Sequence, residues 1–261
     1  MARTIPFYQV DAFASRLFAG NPAAVCPLEE WLDDSLLQQI AAENNLSETA
    51  FFVRSGERYG LRWMTPEVEV DLCGHATLAS AFVIFNYLDR PADSVTFDTR
   101  SGALIVRREG DLLAMDFPAR LAAPCDPPPG LVGALGRSPA GVYAAQYLMA
   151  VFATEDDVRA LAPDMTRLSQ VDAFGVIVTA PGREADFVSR FFAPRAGISE
   201  DPVTGSSHCT LVPYWAGRLG KKQLYARQVS RRGGELWCED RGSRVQIAGR
   251  AVLYMQGTIS V

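Results

Sequence analysis

The sequence predicts an α+β fold of two similar halves, and three features of the 261-residue chain indicate it. Short segments rich in β-branched and aromatic residues recur between Gly, Pro and Asp, which is typical of strands joined by turns. The segment TLASAFVIFNYL (77–88) is apolar nearly all round, so the helix that it predicts belongs inside a core. A weak internal repeat, whose two copies are offset by about half the chain, indicates a duplicated domain.

Individual elements follow from periodicity and turn residues. The opening strand is predicted in IPFYQVDAF (5–13), and a helix over 28–45 that ends near Asn44 and Asn45. The apolar stripe of that helix comprises Trp31, Leu32, Leu36, Leu37 and Ile40. Further strands are predicted in AFFV, YGLRWM, SVTFDT, ALIVRR, LLAMDF, YLMAVF, FGVIVTA, DFVSRFF and the tail 224–261. Further helices are predicted in EDDVRALAP and CTLVPYWAG.

The segment 123–141 is dense in Pro and Gly and lies at the middle of the chain, which is typical of a boundary. We therefore expect an N-terminal domain over 1–122, a linker over 123–141 and a C-terminal domain over 142–261. The last strand of the chain can return to pack on the first domain.

Composition excludes several classes of function. A net charge of -5 argues against a nucleic-acid surface, and the cluster Arg227, Arg231 and Arg232 is too short to overturn this. No run approaches the roughly 18 apolar residues of a membrane span, and the first residues lack a secretory pattern, so a cytoplasmic location is expected. The 5 cysteines are odd in number and lack a CxxC pair, which indicates neither a disulfide framework nor a zinc ribbon.

The internal repeat relates RWMTPEVEVDLCGHATL (62–78) to RFFAPRAGISEDPVTGSSHCTL (190–211). Arg62 and Arg190 lie 128 residues apart, whereas Gly74 and Gly205 lie 131 residues apart, so the second copy carries a small insertion. In each copy a Gly turn leads into an apolar helix, whose first N–H groups favour an anion such as a carboxylate. The alternative is that each turn is an ordinary helix cap.

Three titratable side chains are candidates for acid–base chemistry. Glu48 precedes an apolar strand, where desolvation would suit a general acid or base, although an acid between helix and strand is usually solvated. His75 can exchange a proton near neutral pH or can be a half-buried hydrogen-bonded histidine. Asp201 is either a second acid or a helix cap.

Cys73, His75, His208 and Cys209 together suggest zinc, since thiolate and imidazole are zinc ligands. Adjacent residues such as His208 and Cys209 point in different directions, so convergence of all four is not expected. We therefore predict no metal site.

The motifs VDAF, GNPAAV, NLSETAFF, DLCGHATLAS and GISEDPVTGSSHCTLVPYW together resemble those of the PhzF-like isomerases, a family named for its phenazine-biosynthesis member. The resemblance spans both halves in order. It implies two pseudo-symmetric domains of the diaminopimelate-epimerase type, each a curved, mostly antiparallel sheet around a central apolar helix. It also implies a homodimer and proton transfer without a cofactor.

Position by position, the resemblance implies that Glu48 is the catalytic acid/base of an isomerase that acts on a small carboxylate-bearing metabolite. His75 and Asp201 are implied as its catalytic partners. The residues implied to bind the substrate are Gly74, Thr204, Gly205 and Ser206. Ala76 stands where the phenazine enzyme has proline, which argues against the phenazine substrate and leaves the class of chemistry unchanged.

Two alternatives stay open. One is an amino-acid epimerase that uses Cys73, since a thiol at a helix N-terminus is more acidic than usual. Diaminopimelate epimerases use a cysteine from each half, and here the second copy has Pro202 at the position that we assign to the other cysteine. The other alternative is a binding protein of the same fold that lacks turnover.

Overall fold

A computed structural model describes residues 3–88 and 93–261. The chain divides into two compact units, the first comprising Met1–Asp116 and Ala248–Val261 and the second Phe117–Ile247. The Pro- and Gly-rich segment 123–141 therefore lies inside the second unit, where the sequence suggested a linker. It forms a short strand and a short helix there, and Leu131 within it is fully buried in the core of that unit.

The elements of the chain alternate short strands with a few helices. Those before residue 120 are β1 (Thr4–Ala12), β2 (Asn21–Leu28), α1 (Asp34–Asn44), β3 (Glu48–Ser55), β4 (Arg58–Met64), β5 (Glu69–Val70), α2 (Gly74–Val83, continued by a π-helical turn at Ile84–Leu88), β6 (Ser94–Thr99), β7 (Gly102–Glu109) and β8 (Leu112–Pro118). Those that follow are β9 (Ala123–Pro124), α3 (Leu131–Leu135), β10 (Gly141–Ala144), β11 (Leu148–Val151), α4 (Glu155–Arg159), α5 (Met165–Leu168), β12 (Val176–Pro181), β13 (Phe187–Ala193), a 3₁₀ turn (Pro194–Ala196), β14 (Ile198–Asp201), α6 (Gly205–Leu219), β15 (Gln223–Gln228), β16 (Gly234–Asp240), β17 (Arg244–Gly249) and β18 (Ala251–Ser260).

The sheet of the first unit is mostly antiparallel and packs around α2. Strand β1 pairs antiparallel with both β2 and β18, so the last strand of the chain belongs to this unit. Strands β2 and β3 pair in parallel, and so do β4 and β6. Helix α2 contacts β1, β2, β3, β7 and β18, which accounts for its lack of a polar face.

The second unit repeats this order of pairings. Strands β10 and β11 pair antiparallel, β11 and β12 parallel, and β12 and β13 antiparallel, as β1 to β4 do in the first unit. Strands β13 and β15 then pair in parallel, as β4 and β6 do. Its long helix α6 packs on β15 and β16. The predicted fold class of two similar α+β units is confirmed.

The repeat is preserved in a pair of equivalent ion pairs. The guanidinium of Arg62 forks onto the carboxylate of Glu69, with N···O distances of 2.8 and 2.7 Å. Arg190 forks in the same way onto Glu200, at 2.7 and 3.0 Å. Glu69 and Glu200 are 131 residues apart, the same separation as the two glycines. The insertion in the second copy therefore lies between the arginine and the glutamate.

Several polar groups of the two core helices have identifiable partners. In α2, the hydroxyls of Thr77 and Ser80 donate to the carbonyls of Cys73 and Ala76 at 2.6 and 2.7 Å. In α6, a proline at 213 cannot donate to the carbonyl of Cys209, and the N–H of Arg120 takes that acceptor at 2.9 Å.

Helix α1 is shorter than predicted. The sequence favoured a helix from residue 28, but β2 continues to Leu28 and the helix begins at Asp34 after the N-cap Asp33. Trp31 therefore lies outside the helix, under the guanidinium of Arg62. Its predicted end is confirmed, because Asn45 adopts the left-handed conformation that terminates the helix.

Within residues 3–88 and 93–261, no helix is both long and apolar enough to cross a membrane.

Candidate active site

Glu48 is the first residue of β3, and its side chain is largely withdrawn from solvent. Residue 48 pairs with Ala23 where β2 and β3 run in parallel, directly after the short link from α1. The side chain is 13% exposed, so the carboxylate is not the solvated surface acid that its position between helix and strand would usually make it. No donor in the described part of the chain is aligned for a hydrogen bond with the buried oxygen Oε2.

His75, in the first turn of α2, lies close to that oxygen. Its Nε2 lies 3.0 Å from Oε2 of Glu48, within ion-pair distance, and its side chain is 7% exposed. On the other side of the ring, Nδ1 lies 3.3 Å from Nδ2 of Asn21 and 3.5 Å from Sγ of Cys73. The imidazole therefore bridges a carboxylate and two polar groups in a buried setting.

The pKa values of this cluster follow from burial and from the neighbouring charges. Burial alone lowers the pKa of His75, but the Cys73 sulfur and the Glu48 carboxylate outweigh it and hold the pKa well above its ordinary value. These neighbours therefore favour the protonated form of the imidazole. Burial, followed by the charge of Glu48, raises the pKa of the Cys73 thiol to about 11. Cys73 is consequently a neutral thiol at neutral pH.

These three residues also form a set of possible metal ligands. Each residue offers one ligand atom, and the three atoms, from Glu48, Cys73 and His75, lie within 4.8 Å of one another. The wider zinc set considered from the sequence does not form, because neither His208 nor Cys209 belongs to a metal-capable cluster of the described residues.

The predicted residues of the second copy form a hydrogen-bonded turn at the start of α6. The hydroxyl of Thr204 donates to the carboxylate of Asp201. Gln228, which is 1% exposed, accepts from the N–H of Thr204 at 2.9 Å and donates to the carbonyl of Asp201 at 2.8 Å. The turn is therefore held rigidly, with Gly205 as the first residue of the helix.

Ser206 lies half-buried on this turn, and its hydroxyl lies 3.1 Å from that of Tyr147. Tyr147 packs edge-on against Phe191 and stacks with Phe174. Burial raises the pKa of Tyr147, although the hydrogen bond to Ser206 opposes this. The phenol therefore stays a neutral donor.

Cys73 and Thr204 are equivalent in the two units, since each is the N-cap of its core helix. This corrects the assignment of Pro202 to the position of a second cysteine; the residue there is Thr204. Neither N-cap side chain bonds an N–H of its own helix in the described structure, so other groups can use those donors.

His208 is a structural histidine. Its Nδ1 donates to the carbonyl of Thr204 at 2.8 Å, and its ring packs against Phe187. Burial lowers its pKa to about 4, so it is neutral at physiological pH.

Three residues of these clusters were not singled out from the sequence: Asn21, Tyr147 and Gln228. Asn21 lies within GNPAAV, but its contact with His75 joins residues 54 positions apart. Tyr147 and Gln228 lie in ordinary strand patterns with no local signal of a function. Pairing between distant elements, which a single sequence does not display, brings each of them to its partner.

The fold is shared with epimerases. A hydroxyproline epimerase from Agrobacterium vitis matches with a TM-score of 0.63, covering 99% of this chain and 93% of that one. Its sequence identity of 10% means that this likeness concerns the fold alone.

The sequence comparisons identify the family. The family model described as phenazine biosynthesis-like protein matches residues 10–257. An uncharacterised isomerase of Pseudomonas aeruginosa is 56% identical over 255 residues, which is 98% of each chain. The crystal structure of a PhzF-family protein from Enterococcus faecalis has a TM-score of 0.97 at 47% identity, covering 99% of this chain and 100% of that one. The chain therefore belongs to the phenazine biosynthesis-like family and is an enzyme of the isomerase type.

Proposed function

We propose that this isomerase moves a proton within a small carboxylate-bearing metabolite, without a cofactor, and that Glu48 is the general acid/base. One observation carries the proposal: Oε2 of Glu48 is buried, lies 3.0 Å from Nε2 of His75 and has no aligned hydrogen-bond donor among the described residues. A carboxylate oxygen that is withdrawn from water is suited to take a proton from carbon.

His75 assists Glu48 in that step through the charge of its ring. Because the pKa of His75 is held well above its ordinary value, its protonated ring places a positive charge 3.0 Å from Oε2 of Glu48. Glu48 takes a proton from an acidic carbon of the substrate and returns it to another carbon. The charge removed from Glu48 appears on the substrate as an enolate or extended carbanion, so the reaction needs donors that stabilise it.

The substrate-binding roles fall to Gly74, Thr204, Gly205 and Ser206, and Asp201 is the second catalytic carboxyl. The N-terminal N–H groups of α2 and α6 are suited to a carboxylate, since neither helix caps them with its N-cap side chain in the described structure. The hydroxyl pair of Ser206 and Tyr147 adds neutral donors.

The Cys73 alternative receives less support. A base must be unprotonated, and burial raises the pKa of this thiol to about 11. Its counterpart in the second unit is Thr204, so the chain lacks the second thiol of a two-cysteine racemase.

The test is proton NMR in deuterated water with a panel of small amino acids, their unsaturated analogues and dihydro-hydroxyanthranilate. We expect deuterium to enter one carbon of one compound with the native protein and not with Glu48→Gln. Exchange that survives in Glu48→Gln and disappears in Cys73→Ser would assign the base to the thiol. Saturable binding of one compound without any exchange would indicate a binding protein.

A further inference from the structure

Asn21 is a buried polar residue at the start of β2. It is fully buried, and it follows Gly20, whose φ of +67° and close approach to the carbonyl of Ala12 suit only glycine. Two residues further on, Ala23 pairs with Glu48 in the parallel ladder of β2 and β3. The side chain of Asn21 therefore starts from the same end of the sheet as the carboxylate of Glu48.

The amide of Asn21 reaches the ring of His75 on the side away from Glu48. Its Nδ2 lies 3.3 Å from Nδ1, whereas Nε2 on the opposite side of the ring lies 3.0 Å from Oε2 of Glu48. The order amide, imidazole, carboxylate is typical of sites in which a second group fixes how a histidine presents its other nitrogen.

An amide suits this position because it can serve both protonation states of the ring. Its NH₂ donates to a bare Nδ1, and after a half-turn its oxygen accepts from a protonated Nδ1. The thiol of Cys73 also lies near Nδ1, at 3.5 Å, but a thiol is a weak donor and a weak acceptor.

We propose that Asn21 is a positioning residue for the Glu48–His75 pair: its amide holds Nδ1 of His75 and thereby keeps Nε2 directed at Glu48. The inference rests on the proposed function in one respect, because a catalytic effect of Asn21 requires that Glu48 be the base. The contact between Asn21 and His75 can be tested separately, without substrate.

The test is nitrogen NMR of the full chain labelled in its histidines. The chain has 2 histidines, so the signals are assigned by the loss of one set in His208→Asn. Asn21→Asp places a carboxylate beside Nδ1, and Asn21→Leu removes the polar partner at similar volume. We expect the Nδ1 signal of His75 to move in opposite directions in these variants at neutral pH, while the signals of His208 stay in place.

A pH titration in the same samples adds a second readout. The titratable groups that face His75 are Glu48 and Cys73. A carboxylate at position 21 should move the titration of His75 up by about one to three pH units, and leucine should move it down. Asn21→Asp is nearly isosteric, so the test does not depend on whether Asn21→Leu folds.

Thr179→Val is the matched control, since it also removes a buried polar group, but in β12 of the second unit. Unchanged His75 signals in both Asn21 variants, or the same movement in Thr179→Val, would overturn the inference. In turnover, Asn21→Leu should lower kcat about tenfold or more with KM nearly unchanged. If Asn21→Leu keeps the native kcat while Glu48→Gln is inactive, only the positioning role is refuted. If Glu48→Gln is active, the proposed function is refuted.

Discussion

At the scale of single residues, burial separates groups that look alike in sequence. His75 and His208 both occupy the first turn of an apolar helix, yet the pKa of His75 is raised by its charged neighbours and that of His208 is lowered to about 4 by burial. The position of Glu48 before an apolar strand made it a candidate acid or base, but only its family motif outweighed the expectation of a solvated acid. Its depth and its contact with His75 depend on how β2, β3 and α2 pack together.

Replacement of Cys73 by alanine should leave turnover within about threefold of the native rate, because a thiol with a pKa of about 11 supplies no base at neutral pH. Initial rates on the substrate found by deuterium exchange check this. The partly exposed Cys125 is replaced by serine in both proteins, so that alkylation of this thiol does not obscure the reaction of Cys73. Inactivation of the Cys125→Ser protein by iodoacetamide, with protection by substrate, would contradict the prediction.

At the scale of elements, the strand pairs that carry the repeated arginines are held by partly buried ion pairs. The side chains of Arg190 and Glu200 are 13% and 23% exposed, and Arg190 also donates to the carbonyls of Val158 and Leu161. The two arginines could be matched from the sequence, but their partners could not. Glu69 and Glu200 correspond only when the insertion in the second copy is placed between the arginine and the glutamate.

Arg190→Met should lower the free energy of unfolding by about 2–4 kcal/mol, since it leaves a half-buried carboxylate and two carbonyls without their donor. Arg195→Met is the control, because its partner Asp172 is fully exposed and the change should be small. Urea denaturation of both variants measures the difference. Equal stability of the two variants would show that the Arg190 pair contributes nothing.

The buried neutral His208 makes α6 sensitive to acid. Its folded pKa of about 4 lies below the unfolded value of 6.5, so the unfolded chain binds the proton first as pH falls. Its contribution to stability is present above pH 6.5 and is lost between pH 6.5 and 4, by about 3 kcal/mol in all.

His208→Asn keeps a donor for the carbonyl of Thr204 but does not titrate. Denaturant unfolding at several pH values should therefore show a flatter dependence for this variant over that window. The same slope in native protein and variant would place the acid sensitivity elsewhere.

At the scale of the whole molecule, the sequence predicted the two similar units but not the path of the chain between them. The segment 123–141 has the composition of a linker, yet Leu131 within it is fully buried in the core of the second unit. The pairing of β18 with β1 could not be predicted with certainty from the sequence, because an alternating strand pattern does not identify the strand that it pairs with.

We expect the chain to form the homodimer implied by its family, through an apolar patch of the first unit. Phe18 is 69% exposed and contacts Tyr254 edge-on at 5.8 Å, beside the exposed side chains of Leu17 and Met255. Exposed clusters of this kind mark interaction surfaces.

Light scattering on a sizing column should give twice the chain mass of 28.4 kDa for the native protein. Phe18→Glu should give the monomer, and Leu121→Glu, at a position that is 78% exposed in the second unit, should not. A native monomer would contradict the homodimer, and a dimer that survives Phe18→Glu would assign it to another surface.

The central claim is that Glu48 carries the proton, and solvent exchange tests it most directly. Deuterium entry into the substrate is followed by NMR for the native protein, Glu48→Gln and the control Glu43→Gln, which removes an exposed carboxylate on α1. We expect loss of exchange by at least about a hundredfold in Glu48→Gln, the scale of a lost general base, and the native rate in Glu43→Gln. Exchange at the native rate in Glu48→Gln, with the variant folded, would contradict the account.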